Sequence, residues 1–400
     1  MKSGWEIKKL GNVCTIKPPK AEARKKISHD ALVSFVPMED LGIDEKVFKS
    51  TQKRSLSEVV GSYTYFADGD VLLPKITPCF ENGKLGIAAG LANGVGFGSS
   101  EYIVLRPDER LNKEWLYYFL SRETFRLEGA QLMTGAVGHK RVPKEFIENY
   151  PIPFPPLPEQ QRIISILDET FDGIATAKAN AEKNIKNARQ LFDSHLNSVF
   201  SQRGEGWVEK QLQQTGITQT GSTPKTLVIT NYGEYIPFVK PADFNKDGSL
   251  DYDKDKLSKP GFEQARKISA GSVLMVCIGA TIGKCGYCDR DVTSNQQINS
   301  YTPFDAVDHK FIFYQMLTRN FQQRVIQNSA QATLPIINKS KWSSLNVWLP
   351  PDLTQQRQIV VKLDILSDET QRLESIYQNK IEALDALKKS ILQKAFSGKL

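Results

Sequence analysis

The sequence Pro-Pro-Leu-Pro-Glu-Gln-Gln-Arg at residues 155–162 returns as Pro-Pro-Asp-Leu-Thr-Gln-Gln-Arg at residues 350–357, which is 195 residues later. Further on, Leu167-Asp168 matches Leu363-Asp364 at an offset of 196, and this register holds to the ends of both segments. Aligning the two Gln-Gln-Arg triplets therefore requires one inserted residue after them. The chain contains a long duplicated segment, and each copy is predicted to organise one half of the protein.

Apolar side chains recur in both copies at alternating three- and four-residue intervals, the spacing of a heptad seam. The predicted seam residues are Ile164, Leu167, Phe171, Ile174, Ile185 and Phe192 in the first copy, and Leu363, Leu366, Leu373, Tyr377, Leu384, Leu387 and Ile391 in the second. We expect two long helices that pair as an intramolecular antiparallel coiled coil. Ordinary amphipathic helices packed on separate cores are the alternative.

Local signals predict where these helices begin and end. Pro158 suits a first helical turn, where its missing N–H costs no hydrogen bond, and Thr354 is a candidate N-cap for the second helix. Gly204 and Gly206 follow the first helix and Gly398 follows the second. Glycine is common just after a helix, so these three residues are predicted stops.

The duplication extends beyond the helices, because Gly4-Trp5 opens one half and Gly206-Trp207 opens the other. Strand-like apolar runs between glycine and proline turns indicate mixed α and β structure in each half. The fold class is therefore predicted as α+β, with two mixed α/β domains, two long helices and a pseudo-twofold internal repeat. The predicted boundaries are a first domain at 1–154, a first helix at 155–203, a second domain at 204–349 and a second helix at 350–400.

Composition excludes several classes of protein. The 400 residues are 40% hydrophobic and 24% charged, which suits two globular domains. The sequence shows neither an apolar run of about 18 residues nor a signal-peptide hydrophobic region, so we expect a cytoplasmic protein with no membrane partner. The net charge of +7 is compatible with a polyanionic partner such as nucleic acid.

The five cysteines are odd in number and lie mostly in apolar segments, which predicts reduced, buried thiols. Cys285 and Cys288 have the spacing of a zinc knuckle, but no second pair or nearby histidine completes four ligands. No metal site is predicted. Residues 279–285 lack the length and the Ser or Thr of a phosphate-binding P-loop, and the four histidines form no recognisable triad. No catalytic residue is predicted, and we interpret the chain as non-enzymatic.

Several motifs together resemble the specificity subunits of type I restriction-modification systems, over essentially the whole chain. These motifs are the proline-glutamine segment at 155–163, Gly-Ser-Thr-Pro at 221–224, Gly-Ala-Thr-Ile-Gly-Lys at 279–284 and Ala-Phe-Ser-Gly-Lys-Leu at 395–400. The first half departs from the pattern, with Lys-Pro-Pro-Lys at 17–20 in place of the Gly-Ser-Thr-Pro turn. The two domains have therefore diverged, which favours an asymmetric DNA target.

The resemblance implies two target-recognition domains, each reading one half of a bipartite site in double-stranded DNA, with the helices as a spacer. It also implies two methyltransferase subunits docked on the helices and, in the full complex, motor and nuclease subunits. S-adenosylmethionine, ATP and Mg²⁺ are expected on those partners, and no cofactor is expected on this chain.

Candidate DNA contacts in the first half are basic or glycine-rich. The loop at 134–141 combines glycines that permit close backbone approach with three potential cations. The candidates are Lys17, Lys20, Lys75, Thr77, Lys84, Gly135, His139, Lys140 and Arg141. A plain connecting loop, solvated hairpin tips and a solvated basic face are the competing interpretations.

Candidates in the second half are more polar than basic. They are Thr223, Lys225, Thr281, Lys284, Gln296, Gln331, Thr333 and Lys339. Amides in the run at 294–299 are able to read adenine, although at a strand they bridge backbone equally well. The alternative function is a coiled-coil scaffold that binds proteins and does not read DNA, and an enzyme with an unrecognised site is a third hypothesis. A salt-sensitive, sequence-specific interaction with DNA separates the first reading from the second.

Overall fold

The computed structural model describes residues 4–136, 138–330 and 334–400. The chain forms two compact units. The first contains Met1–Asn180 with Lys380–Leu400, and the second contains Ala181–Asn379. Each unit therefore includes part of both long helices.

The first unit contains a four-stranded antiparallel sheet, a second four-stranded sheet and a separate strand pair. The strands are β1 (Glu6–Lys9), β2 (Cys14–Ile16), β3 (Leu32–Val36), β4 (Gln52–Ser55), β5 (Thr64–Ala67), β6 (Val71–Pro74), β7 (Gly86–Ile87), β8 (Val95–Gly98), β9 (Tyr102–Pro107) and β10 (Pro151–Phe154). The helices are α1 (Ala21–Lys26), α2 (Leu56–Val59), α3 (Lys113–Leu120), α4 (Glu123–Gln131), α5 (Lys144–Asn149) and α6 (Leu157–Ser201). The sheet orders are β2-β9-β6-β7, β4-β3-β8-β5 and β1-β10.

The second unit repeats this arrangement, except that its second sheet has three strands instead of four. Its strands are β11 (Val208–Gln211), β12 (Gly216–Thr220), β13 (Tyr232–Val239), β14 (Lys256–Leu257), β15 (Val273–Val276), β16 (Cys285–Tyr287), β17 (Thr293–Ser294), β18 (Ile298–Pro303) and β19 (Asn346–Leu349). Its helices are α7 (Lys259–Glu263), α8 (His309–Leu317), α9 (Arg319–Asn328), α10 (Lys339–Ser343) and α11 (Leu353–Phe396). The sheet orders are β12-β18-β15-β16, β14-β13-β17 and β11-β19. The predicted fold class, with two repeated α/β domains and two long helices, is confirmed.

The central strand β6 shows why the sheets form. Val71 and Leu73 join one hydrophobic cluster while Leu72 joins another, because alternate residues of a strand point to opposite faces. The first of these clusters also contains Ile164 and Leu167 of α6 together with residues near the end of α11. The long helices are therefore part of the core.

The long helices pair antiparallel inside each unit. In the first unit the beginning of α6 shares a core with Phe396 at the end of α11, and further along Lys178 Nζ lies 2.6 Å from Asp385. In the second unit Arg189 forms a two-bond ion pair with Glu374, at 2.8 Å for each bond, and the end of α6 shares a core with Leu363. Residue numbers rise along one helix as they fall along the other, which is the predicted direction.

The seam agrees with the periodicity along most of α6. Ile164, Leu167 and Ile174 are buried, while Phe171, Ile185 and Phe192 are half-buried. Beyond Phe192 the next buried residue is Leu196, four residues further along the helix.

The seam of α11 departs from the prediction at two residues. Leu363 is buried and Leu366, Tyr377, Leu384 and Ile391 are half-buried. Leu373 and Leu387, however, are 39% and 46% exposed. The neighbouring residues Glu374 and Lys388 are less exposed and carry ion pairs, to Arg189 and to Asp44. Positions three and four residues after a seam residue both lie on its face of a helix, so periodicity alone does not choose between them.

The register of the duplication is 196 from the first turn of each helix. Leu157 begins α6 and Leu353 begins α11, so a one-residue insertion inside either continuous helix is excluded. The extra residue is instead Asp352, whose Oδ1 accepts a hydrogen bond of 2.9 Å from the Gln355 N–H and thereby takes the N-cap role predicted for Thr354. At the other end Gly398 has φ +74°, and the Lys399 N–H bonds the Lys394 carbonyl at 2.9 Å, as in a Schellman stop.

A buried glutamine attaches each long helix to its globular domain. Gln160 is fully buried, accepts from the Asn112 N–H at 2.8 Å and donates to the carbonyls of Arg110 and Pro155 at 3.0 and 2.8 Å. Gln356, 196 residues later, accepts from the Asp308 N–H at 2.9 Å and donates to the Ala306 carbonyl at 3.1 Å. The structural counterpart of Gln160 is thus the second glutamine of the later triplet.

An aspartate forms a second attachment eight residues further along each helix. Asp168 accepts from the Tyr118 hydroxyl and, at 2.7 Å, from Lys46 Nζ. Asp364 accepts from the Tyr314 hydroxyl at 2.7 Å and from Lys310 Nζ at 2.8 Å. Eight residues of α-helix span about 12 Å. Two attachments that far apart fix both the height and the rotation of the helix within its unit.

His309 lies beside the cluster around Asp364, and we expect it to make the stability of the second unit depend on pH. Burial lowers its pKa below the ordinary 6.5, with smaller opposing effects from Asp308 and Asp364. The folded state therefore binds the proton less readily than the unfolded state does, and stability is lost as the pH falls below about 6.5. His309→Gln is expected to flatten the pH dependence of urea unfolding between pH 7 and pH 5. The same change at exposed His29 should not, and an equal effect from both variants would contradict the assignment.

Candidate nucleic-acid interface

Several of the predicted DNA contacts lie at one edge of each main sheet. Strands β2 and β6 both run antiparallel to β9, so both point toward its beginning: β6 ends opposite Tyr102 and β2 opposite Leu105. Lys17 directly follows β2 and Lys75 directly follows β6. In the second unit β12 and β15 end in the same way where β18 begins, beside Gln296.

In the first unit the loop at 134–141 docks on this edge. The Thr77 N–H donates to the Lys140 carbonyl at 3.0 Å, and Arg141 is bridged to Thr134 and to Ile76. The structure therefore brings six candidates together: Lys75, Thr77, Gly135, His139, Lys140 and Arg141. Val137 of the same loop lies outside the described residues.

Ion pairs and hydrogen bonds occupy some of the basic side chains at this edge, while other basic side chains are exposed. Arg141 donates to both carboxylate oxygens of Glu101 at 2.9 and 2.8 Å, which lowers the pKa of Glu101 and raises that of Arg141. Lys75 Nζ donates to the Ser100 carbonyl at 3.1 Å and lies 4.0 Å from Glu101. His139 and Lys140 are exposed. These two side chains therefore remain candidates for a phosphate contact.

Gly135 has a backbone reason to be glycine. Its φ is +127°, and a Cβ there would lie 2.8 Å from the His139 carbonyl oxygen. This value lies in the region that favours glycine, so the tight return of the loop requires it. Glycine here shapes the loop that carries Lys140.

The other basic candidates of the first unit differ in their surroundings. Lys17 is exposed with φ +61°. Lys20 Nζ donates to the Gly61 carbonyl at 2.7 Å, and burial, then Lys17 and Arg24, lower its pKa. Lys84 Nζ donates to the Met38 carbonyl at 2.7 Å. Lys84 is therefore bound to the protein's own backbone.

In the second unit the edge is built from hydroxyls and amides. The Thr223 hydroxyl and the Gln296 amide oxygen are 2.5 Å apart, and the Gly279 N–H bonds the Pro335 carbonyl at 3.0 Å. Lys225 and Thr281 are exposed on the turns that follow β12 and β15. Lys339 is the exposed first residue of α10, whereas Lys284 donates to the Pro241 carbonyl at 3.5 Å, much as Lys84 does in the first unit. Gln331 and Thr333 lie outside the described residues.

Equivalent backbone bonds identify matching positions at the two edges. The Lys75 N–H bonds the Glu101 carbonyl at 2.9 Å, and the Cys277 N–H bonds the Gln297 carbonyl at 2.7 Å. The bridge that Arg141 makes to Ile76 is made by Ile336 to Ile278. The counterparts of Lys75, Glu101 and Arg141 are thus Cys277, Gln297 and Ile336. An ionic set in one unit is replaced by a neutral set in the other.

Two polar pairs that the sequence reasoning missed are Tyr118 with Asp168 and Tyr314 with Asp364. These residues attach α3 to α6 and α8 to α11, and they recur at the same offset of 196 as the helices. A polar residue kept at one position in both repeats was the available signal. The attachments orient the domain that carries each edge.

Four of the five cysteines are buried, and Cys79 is partly buried. Cys277 and Cys285 belong to one buried cluster and Cys288 to another, so the zinc-knuckle spacing does not bring its two thiols to one site. Burial raises the pKa of Cys288 to about 11 and that of Cys277 to about 12, so both thiols stay protonated. Among residues 4–136, 138–330 and 334–400, no cluster of three His, Cys, Asp or Glu side chains is placed to hold a metal ion. Within the same ranges, every helix is too short or too polar to cross a membrane.

One known protein family matches the chain twice, once in each repeat. The family described as the type I restriction modification DNA specificity domain matches residues 2–187 and again residues 204–383. The chain belongs to this family. The resemblance predicted from its motifs is therefore confirmed. The two matched segments correspond to the two repeats, each with its sheet edge and most of one long helix.

Curated members of the type I specificity family are similar over part of the chain. The EcoEI specificity subunit of Escherichia coli is 43% identical over 162 residues, which are 40% of this chain and 27% of the relative. The EcoAI specificity subunit of the same species is 40% identical over 224 residues, which are 50% of this chain and 37% of the relative. The matches thus span well under half the length of these relatives.

Solved structures of the type I family share the fold over the whole chain. A chain from a structure that addresses complex assembly and conformational transition of the type I R-M system has a TM-score of 0.83, at 20% identity, covering 100% of this chain and 99% of that one. The HsdS subunit from Thermoanaerobacter tengcongensis has a TM-score of 0.65, at 20% identity, covering 100% and 98%. At this identity the likeness concerns the fold. The individual DNA-contact residues stay predictions.

A matched lysine pair tests the interface. Lys140→Gln is expected to weaken DNA binding on all sequences alike and to reduce the slope of log affinity against log salt by about 0.9, because one phosphate contact is lost. Lys84→Gln, which removes an equal charge from a lysine bound to the Met38 carbonyl, should leave the slope unchanged. Both slopes would be read from fluorescence anisotropy of labelled duplex DNA with the full chain. Equal slopes for the two variants would remove Lys140 from the interface.

Proposed function

We propose that the chain is the DNA sequence-specificity subunit of a type I restriction-modification complex. It reads an asymmetric, bipartite site in double-stranded DNA, one half with each recognition domain, and α6 and α11 provide the spacer. The observation that carries this proposal is that both units present loops at the equivalent sheet edge, where the ionic set Lys75, Glu101 and Arg141 of one unit is matched by uncharged residues in the other. Unlike edges favour unlike half-sites.

The partners follow from the family. Two methyltransferase subunits dock on the paired helices, and motor and nuclease subunits join the full assembly. S-adenosylmethionine, ATP and Mg²⁺ are bound by those subunits, and this chain contributes recognition without catalysis. Support comes from the long helices, whose outer faces remain exposed beside the seam.

Methylome mapping tests the proposal. The chain would be co-expressed with the methyltransferase encoded beside it, and methylated adenines would be mapped by single-molecule sequencing. We expect one asymmetric bipartite motif. Replacing residues 4–150 by the corresponding segment of a relative should change one half of the motif, and replacing residues 206–345 should change the other.

The failures of this experiment separate the competing functions. A complex that forms without any methylated motif would support docking on the helices and refute recognition by the two edges. A chain that does not associate with the methyltransferase at all would favour the coiled-coil scaffold. A symmetric motif would contradict the argument from unlike edges.

A further inference from the structure

A groove of about 530 Å³ lies in the second unit where α6 ends, α9 begins and β19 passes. Three arginines line it, Arg203, Arg319 and Arg324, and none of its lining residues is aspartate or glutamate. Within the described part of the chain, none of the three arginines forms an ion pair. Unpaired arginines that converge on one concave surface create a positive potential. We call this surface the arginine groove.

Two of the guanidinium groups are held in place. Arg203 stacks over the ring of Trp348 at 3.7 Å from its centroid. Arg324 donates to the Asn320 side-chain oxygen at 2.8 and 2.5 Å, and to the Asn346 carbonyl at 3.3 Å. Each guanidinium has five N–H donors, so these contacts leave donors free. Ordered guanidinium groups lose less entropy when they bind a ligand.

Two other hydrogen-bond donors of the groove also lack an anionic partner among the described residues. Arg319 lies on the first turn of the ten-residue helix α9, and its exposed side chain adds to the positive end of that helix dipole. Among the described residues, the indole N–H of Trp348, which also lines the groove, is buried without a hydrogen-bond acceptor. A buried donor without an acceptor is destabilising, so this side chain is left unsatisfied by the fold.

Two of the three arginines are replaced by acids in the first unit. At the offset of 196, the positions of Arg319 and Arg324 are occupied by Glu123 and Glu128, whereas the position of Arg203 is occupied by Lys399. Glu123 is paired with Lys389 at 3.0 Å. A ligand that contacted both repeats alike, such as a continuous DNA backbone or two identical protein subunits, would meet acids in one repeat at two positions where it meets arginines in the other. The arginine groove therefore suits a ligand that binds once.

We propose that the arginine groove is a binding site for a free phosphate-type oxyanion, such as phosphate, pyrophosphate or the phosphate chain of a nucleotide. Planar guanidinium groups bind such oxyanions through paired hydrogen bonds, and the amides of Asn197 and Asn320 supply neutral donors beside them. This site goes beyond the proposed function, because it lies outside the two sheet edges and requires no DNA.

Pyrophosphate titration of the full chain tests the site. Binding would be measured by isothermal calorimetry and by tryptophan fluorescence at constant ionic strength, with potassium chloride as the salt control. We expect saturable 1:1 binding to the wild type. Arg319→Gln should weaken it about tenfold, the loss of one charge-assisted contact, and Arg319→Glu, the residue type of the first unit, should abolish it. Arg372→Gln, at an arginine of α11 whose side chain is 70% exposed, is the matched control and should bind as the wild type does.

Every other result overturns the proposal. Absence of saturable binding to the wild type does so, as does unchanged affinity in Arg319→Glu. If Arg319→Glu weakens binding of duplex DNA while the wild type ignores pyrophosphate, the arginines contact the DNA backbone and the site for a free oxyanion is refuted. Because Arg319 is exposed, its variants should retain the wild-type thermal unfolding midpoint. The methylated motif tests the proposed function separately.

Discussion

Replacing Arg106 by leucine is expected to lower the free energy of unfolding of the first unit by about 3–5 kcal/mol. Arg106 on β9 donates to both carboxylate oxygens of Asp70 at 2.6 and 2.7 Å, and a further bond reaches Glu22. Asp70 is only 1% exposed, so removing the arginine leaves a buried carboxylate without its counter-ion. The measurement is urea unfolding of the full chain, with amide exchange on β6 and β9 to assign the loss to this unit.

Two comparison variants make the prediction specific. Arg110→Leu removes an arginine whose side chain is 55% exposed and whose ion pair is with nearby Asp108, so it should cost less than about 1 kcal/mol. In the second unit the same positions hold Ser272 and Thr302, whose hydroxyls are 2.7 Å apart. Ser272→Ala should cost about 1 kcal/mol. A loss below 1 kcal/mol for Arg106→Leu would mean that Asp70 finds another partner or water.

Gln160→Leu is expected to destabilise the first unit by about 2–4 kcal/mol, because the change strands one N–H and two carbonyl groups that Gln160 satisfies. The neighbour Gln161 is exposed and provides a matched control of the same residue type. Gln161→Leu should change stability by less than about 0.5 kcal/mol. Denaturant midpoints at a constant slope would measure both.

The same pair of changes in the second repeat tests the register of the duplication. Gln356→Leu is expected to be costly and Gln355→Leu nearly neutral, because the buried glutamine is the second of the later triplet. An alignment of the two identical triplets would predict the reverse. A large effect at Gln355 would therefore contradict the offset of 196 at the first helical turn.

Most of the fold could be predicted from the sequence because the chain contains two copies of the same pattern. Periodicity located α6 and α11, and matching motifs located the two domains. Periodicity did not decide between Leu373 and Glu374, since both lie next to the face of Tyr377 and the choice depends on Arg189 of the other helix. Aligning the two identical Gln-Gln-Arg triplets placed the inserted residue after them, which was wrong. A short sequence match does not show where a continuous helix begins.

The candidate interface was less accessible for a physical reason. Lys75, Thr77 and Lys140 were selected separately, and only tertiary structure shows that they meet. Lys84 and Lys284 were selected for their charge, yet both amines bond backbone carbonyls. Whether a lysine is free depends on which carbonyl the fold places beside it, and a single sequence does not contain that distance.

The single residue Asp352, inserted before the second long helix, has a consequence for how the two halves can change length during evolution. Each added residue inside a helix turns everything after it by about 100°, so one insertion within α11 would swing Asp364 away from Tyr314. A residue added between the proline pair and the first turn changes the connection alone. Length variation among relatives is thus expected to concentrate at these proline junctions, or to come in whole heptads within the helices, where the seam returns to the same face.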